Sequence, residues 1–579
     1  MSRRHSPSAL ASLCALGALT ALAALAAPGT AAAATASGVP AVPIPQNPNP
    51  GVPAAIGGPV SPHALPPQTV PQNPFLAANG RSNVHDDSWM TDTYAQSGPL
   101  GDHTAVSSTY QNQECGSVTF DTAGRIVSVC VGLHGPSLEM LDATSLSLLA
   151  AMPLPPRDPS RVSTGVFTDF GGGGYFYLDN QDRAVVPTTT RHVFVVAESS
   201  TPVAPVFTLQ HDYDLSGVVA QGDEIESALP DWNGLIWFVS TDGVVGTIDP
   251  ASAHVAAFTL PTGENIGNSF ATDETGGVYI VSTFALYRFV AGADGTPVVT
   301  WRTTYDHGTR LKPGQANFGS GTTPTVTSSG LVAITDNADP QMHVIAYRRD
   351  TGTEVCRQAV FAPNTSDTEN SLIAAGNSLY VENNYGYSGP SAVELGGLTA
   401  PGLARVDVDP TSAECRLVWT SQERAPSVVA KVSIGNGLLY TYTKDPAPSQ
   451  TDDPWYLTAI DARSGATMFK VLGGTGLGYN NNYAPVSLGS DGTAYVGVLG
   501  GLVRFADAVP PPAAGVHGAA GARDAHTVSA GVAAASVTSL PSTAAPAPAG
   551  GAAGACAALL GVLRIARRRR RGGAHRAFP

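Results

Sequence analysis

The strongest constraint on this chain is a strand–turn–strand unit that recurs between about residues 104 and 507. Each unit has a short strand of small residues, a turn containing Gly or Asp, and a β-branched or aromatic strand. A third strand, often ending in Asp, and a fourth strand follow. The first unit reads Gly116 to Phe120, the turn Asp121-Thr122-Ala123-Gly124, Ile126 to Val129, and Ser137 to Asp142. Later turns stand at Asp231-Trp232-Asn233-Gly234, Asp273 to Gly277, Ser328-Ser329-Gly330, Gly376-Asn377, Gly435-Asn436-Gly437 and Asp491-Gly492. The second unit, from Tyr175, is less regular. Spacings of about 40 to 60 residues match one four-stranded blade, and no long helical period interrupts them. The fold class that follows is all-β: a β-propeller of eight four-stranded blades, or seven if one unit is misread. The last unit, Ala484 to Phe505, holds only three strands, and an open ring leaves backbone groups unpaired. A strand near Thr104 to Tyr110 is therefore expected to complete it.

The third and fourth strands carry a family resemblance. Leu457-Thr458-Ala459-Ile460-Asp461-Ala462-Arg463-Ser464-Gly465 is similar to the repeat of quinoprotein-type propellers. Weaker copies stand at Val344 to Gly352, Val406 to Pro410, Gly246 to Pro250 and Met140 to Thr144. In such a repeat Asp and the Gly-containing turn close a hairpin, while Ala and Ile pack between blades. The tryptophan usual in that family after the turn is absent at Phe469 and Cys356, and Trp419 stands in that place in another repeat. The related dehydrogenases stack a quinone on a tryptophan platform, a set that no local motif places on Trp232, Trp237 or Trp301. The resemblance thus implies a fold, and fold alone leaves function open.

In a propeller the inner strands converge on a central channel. Their first residues here are polar: Glu114, Glu226, Asn268, Glu369, Asn370 and Asn482. Carboxylates and amide oxygens from several blades suit a hard cation such as calcium. The arrangement resembles the axial site of calcium-dependent lactonase propellers, which implies an extracellular hydrolase. Polar caps on inner strands, holding channel water, account for the same residues.

The two ends point to export. Arg3, Arg4 and His5 precede an apolar run from Ala9 to Ala26 and small residues at Ala31 to Ala36, the layout of a secretory signal over residues 1–36. Residues 37–103 are expected to hold a Pro- and Asn-rich spacer ahead of the propeller at 104–507, and 508–543 a second, Ala/Pro/Ser-rich one. Leu540-Pro541-Ser542-Thr543-Ala544, an apolar stretch and Arg567 to Arg571 resemble the cell-wall sorting signal of Gram-positive surface proteins. That resemblance implies cleavage after Thr543 by a sortase, with 544–579 an apolar segment and a basic cytoplasmic tail. Independently of it, an apolar run closed by arginines stalls in the membrane, at least transiently. A simple membrane anchor is the alternative attachment. Nine of the 31 basic residues lie in these ends, so the body carries 22 basic against 45 acidic residues, a charge near −23. Such a surface repels nucleic-acid phosphates.

Export also permits disulfides. Pairing Phe120 with Arg125 across the first turn sets Cys115 opposite Cys130, within bonding reach. Cys356 and Cys415 occupy equivalent places in consecutive repeats, and their pairing is left open. His85-Asp86-Asp87 and His211-Asp212 read as solvated surface. Aromatic and amide residues at Asn383 to Tyr387 and Tyr479 to Tyr483 suit sugar or peptide contacts, although loop exposure explains them as well. The function expected is a noncatalytic binding protein displayed at the cell envelope, with an extracellular protein or carbohydrate as partner and no cofactor. Its alternatives are the calcium-dependent hydrolase and a quinoprotein-like oxidoreductase.

Overall fold

Aspartate closes a hairpin in most of the blades. At Asp231 one carboxylate oxygen accepts from the backbone N–H groups of Asn233 at 2.7 Å and Leu235 at 3.1 Å, and the other accepts from Trp237 Nε1 at 3.0 Å. Asp273 repeats this with Thr275, Gly277 and the Tyr279 hydroxyl. The third-to-fourth-strand turns use the same device, as where Asp461 accepts from the N–H groups of Arg463 and Ser464. An Asp side chain that mimics a turn this way fixes the register of both strands.

The computed structural model describes residues 38–46, 51–132, 135–157, 171–199 and 205–509. The signal at 1–36, the sorting pentapeptide Leu540 to Ala544 and the tail 544–579 lie outside the described residues. The described strands form eight sheets. Blade 1 comprises Gln113–Phe120, Ile126–Gly132, Gly135–Leu141 and Leu148–Pro153. Blade 2 runs from Tyr177–Leu178 to Phe207–Asp214, blade 3 from Ile225–Pro230 to Val255–Thr259, and blade 4 from Ala271–Thr272 to Pro297–Thr304. Blade 5 runs from Thr325–Val326 to Glu354–Ala359, blade 6 from Ile373–Ala375 to Glu414–Ser421, and blade 7 from Lys431–Ser433 to Thr467–Thr475. Blade 8 combines Val486–Leu488, Ala494–Val498 and Gly501–Ala506 with Ala105–Tyr110 as its outermost strand. The expected closing strand is thus present, paired from Ala105 with Ala506 to Tyr110 with Gly501.

The apolar core lies between blades. Val127, Leu138 and Met140 of blade 1 meet Leu178, Val186 and Val196 of blade 2, and Leu331 and Val344 of blade 5 meet Leu379 and Val406 of blade 6. Two tryptophans lock neighbouring blades. Trp301, on the outer strand of blade 4, donates its ring N–H to Arg349 O of blade 5 at 3.1 Å, and Trp419 of blade 6 donates to Ala462 O of blade 7 at 3.2 Å. Each ring lies on the turn glycine of the next blade. A Cβ at Gly352 or Gly465, both at positive φ, would stand 2.6 Å from the ring it covers. Glycine is needed there for conformation and for space.

Both disulfides follow from strand positions. Cys115 pairs with Cys130 inside blade 1, although the hairpin sets Phe120 opposite Ile126, one residue off the expected Arg125, and a bulge at Gly116 brings Cys115 back opposite Cys130. Cys356 and Cys415, left open from sequence, also bond; they join the outermost strands of blades 5 and 6, with Cα atoms 5.5 Å apart. Equivalent positions on adjacent blades are near neighbours here, which repeat spacing alone does not reveal.

The described part of the 37–103 segment is packed against the ring. Ala55–Gly57 adds an outer strand to blade 7, and Thr93–Tyr94 adds a parallel inner strand, making that sheet six-stranded.

Candidate functional site: the filled axis

The inner edge of each blade presents backbone groups that need partners. Here the chain supplies them from residues 73–96. Asn73 Nδ2 donates to Pro230 O of blade 3, and Arg81 O and Ser82 O accept from Phe120 of blade 1 and Leu178 of blade 2. Ser88 O, Trp89 O and Thr91 O accept from Thr272, Val326 and Ala374, the inner strands of blades 4, 5 and 6, at 2.8–2.9 Å. Asp92 O accepts from Val432 of blade 7, and Gln96 Nε2 donates to Leu488 O of blade 8. One segment therefore reaches all eight blades and forms an axial plug.

The plug carries ionisable groups inward. His85, Asp86, Asp87 and Asp92 are each 2 % exposed or less, so the reading of His85-Asp86-Asp87 as solvated surface is corrected. His85 Nδ1 lies 3.1 Å from both oxygens of Asp92, and its ring stacks on Tyr175, with centroids 6.2 Å apart. Lys431, on the inner strand of blade 7, contacts Asp92 and stands 3.2 Å from Asp86 Oδ2. Asp87 accepts from Trp89 N at 2.8 Å and from the Thr91 hydroxyl. Burial pushes Asp86 up to about 8 and Asp87 to about 7. Asp92 is held below its ordinary value, because the pull of Lys431 and then of His85 outweighs its desolvation.

The polar inner-strand starts fall into separate arrangements. Asn482 donates to Glu114 from its backbone at 3.3 Å and its amide at 3.4 Å, and the Tyr387 hydroxyl donates to Asn482 Oδ1 at 2.9 Å. Asn370 Nδ2 bridges Glu382 Oε2 at 3.0 Å and Val428 O at 2.6 Å, while Asn268 donates to Ser320 O at 3.3 Å. Glu226 and Glu369 both face Tyr175 and, with desolvation as the larger cause, raise its phenol well above the ordinary range. Burial pushes Glu114, Glu369 and Glu382 up to about 8. Calcium needs several ionised oxygens converging on one point. Among the described residues one trio of potential ligands converges within 4.8 Å, Cys115, Cys130 and Glu139, and its cysteines are bonded to each other.

The aromatic and amide loops are also turned inward. Tyr387, Tyr479 and Asn480 to Asn482 are buried. The Tyr387 and Tyr483 rings meet edge to face at 5.4 Å. These residues brace loop against loop and do not present a sugar-stacking surface. His211 and Asp212 are exposed, as expected.

A cleft of about 450 Å³ opens between blades 4 and 5, lined by Tyr279, Arg288, Arg348, Arg349 and Asp350. Arg349 is anchored by Glu274 at 2.7 Å and by Asp273 at 3.3 Å, and Arg288 donates to Thr275 Oγ1 at 3.0 Å. Sequence reading missed this cluster because its arginines come from different strands and turns.

No protein-family model matches the chain. An uncharacterised protein of Archaeoglobus fulgidus is 28 % identical over 328 residues, which cover 50 % of this chain and 62 % of that one, so the match spans less than two thirds of the relative's length. Among solved structures, BamB from Moraxella catarrhalis is 12 % identical over 55 % of this chain and 90 % of its own, with a TM-score of 0.35. Virginiamycin B lyase from Staphylococcus aureus, a catalytically inactive form with quinupristin, is 10 % identical over 69 % of this chain and 99 % of its own, with a TM-score of 0.37.

Proposed function

We propose that the protein is an exported propeller, held at the cell envelope, that binds a partner noncatalytically on one face of its ring. The filled axis carries this reading. The chain's own residues 81–96 cross the axis, hydrogen-bonded to inner strands chiefly at their last residues. A ligand must then be met on a ring face. The cleft between blades 4 and 5 gathers three arginines on a body near −23, so it favours a partner bearing carboxylates or other anionic groups. Two disulfides support an oxidising compartment.

The test is a pull-down from envelope extract with the mature protein as bait, repeated with the Arg288→Glu/Arg348→Glu variant. Saturable capture that the variant loses supports the reading. Turnover on lactone or alcohol panels, or a calcium-dependent rise in Tm abolished by chelator, would overturn it in favour of the hydrolase.

A further inference from the structure

The chain has four lysines, Lys312, Lys431, Lys444 and Lys470, and all are buried. Lys431 is set apart by what surrounds it. Its Nζ donates to Val84 O at 2.5 Å, contacts Asp92 Oδ1 and lies 3.2 Å from Asp86 Oδ2. Lys431 and Asp92 are both 0 % exposed, Asp86 is 1 % and His85 2 %. An amine, a carboxyl carbon and two further proton-handling groups are thus enclosed together at the junction of plug and ring.

We propose that Lys431 and Asp92 condense into an intramolecular amide that joins the plug covalently to blade 7. Asp86 takes a proton from the Lys431 ammonium, and the free amine attacks Cγ of Asp92. A C–N bond forms, and the negative charge gathers on the two Asp92 oxygens, toward which His85 Nδ1 points at 3.1 Å. A donor already aimed at the developing charge lowers the barrier. Asp86 passes its proton to one of these oxygens and relays a second from nitrogen, so the C–O bond breaks and water leaves. The balance is one ammonium and one carboxylate giving one amide and one water, with no oxidant or cofactor.

Three observations support the step. The reactants are held in contact by the fold, which replaces a bimolecular encounter with a positioned one. Desolvation lowers the proton affinity of Lys431, but the charges of Asp86 and Asp92 outweigh it, so the ion pair is the ground state, and burial raises Asp86 so that it can hold the proton it takes. Lastly, the ion pair carries a desolvation penalty that condensation removes, since both charges vanish.

The experiment is peptide mapping of the purified full chain. After reduction, alkylation and trypsin, the crosslink joins Ser82–Arg125 to Ala425–Lys444, uncut at Lys431, with the mass of both less one water. The Lys431→Arg and Asp86→Asn variants should yield the two regions as separate peptides. Recovery of free Ser82–Arg125 and Val432–Lys444 in full yield from folded wild-type protein overturns the proposal. That result stands whether or not the variants fold. A crosslink that persists in Asp86→Asn removes Asp86 from the chemistry.

Discussion

Replacing Cys356 and Cys415 together by alanine opens the staple between the outer strands of blades 5 and 6. The bond closes a loop of 59 residues. In the chain-entropy account, freeing a loop of that size stabilises the unfolded state by about 4 kcal/mol. Both cysteines are partly exposed at the edge of the interblade core, so lost packing adds less than about 1 kcal/mol. The Cys115→Ala/Cys130→Ala pair makes the contrast. Its loop spans 15 residues, for about 3 kcal/mol of entropy. Its sulfurs are fully buried, however, and truncating them adds about 1 kcal/mol each. Urea unfolding followed by tryptophan fluorescence should therefore show comparable losses of about 4 to 5 kcal/mol, of different origin. Reducing agent separates them: wild-type protein with both bonds reduced but every sulfur in place loses the entropy and keeps the packing. A loss below about 1 kcal/mol for the blade 5–6 pair would refute the argument, because it would mean that the unfolded chain gains no freedom from opening the loop.

Gly465→Ala places a methyl against the Trp419 ring at positive φ and should cost about 2 to 4 kcal/mol, read as a lowered urea midpoint. Gly330→Ala, also at positive φ but facing open space, should cost about 1 kcal/mol, so equal losses would refute the docking role of the tryptophan. Glu114, Glu369 and Glu382 keep protons up to about 8 in the native chain, and the unfolded chain releases them near 4.5, so stability should fall as pH rises between those values. Glu382→Gln keeps partners for Thr441 and Asn370 and should reduce the fall by up to about 1.4 kcal/mol per pH unit, while an unchanged slope would show that Glu382 is ionised in the native state.

The ring was legible because its information is local. Asp121, Asp231, Asp273 and Asp461 each close a hairpin within a few residues, whereas the bulge at Gly116 that aligns Cys115 with Cys130 left no mark in the pattern. The closing strand at Ala105–Tyr110 follows from a count of three strands where four are needed. The plug was not legible for the opposite reason. Ser88 to Asp92 shows no period because its backbone, and not an apolar face, is what the inner strands of blades 4 to 7 read. Its polar side chains look like those of a solvated linker until Lys431, some 340 residues away, is placed beside them. The one available signal was the scarcity of lysine. In a chain with four, each placed inside, a lysine on an inner strand calls for a buried acid.

The same logic applies to the polar starts of the inner strands. An axial site needs inner-strand side chains that converge on a ligand, and here three of the six polar starts hold the fold together. Asn370 holds Glu382 and Val428, Asn482 holds Glu114, and Asn268 holds the loop at Ser320. Each bond would have to break before its group could turn to a substrate, and each break leaves a buried polar atom unpaired at about 1 to 3 kcal/mol. Opening the axis at the ends of the inner strands would likewise mean withdrawing residues 81–96 from the strands they satisfy.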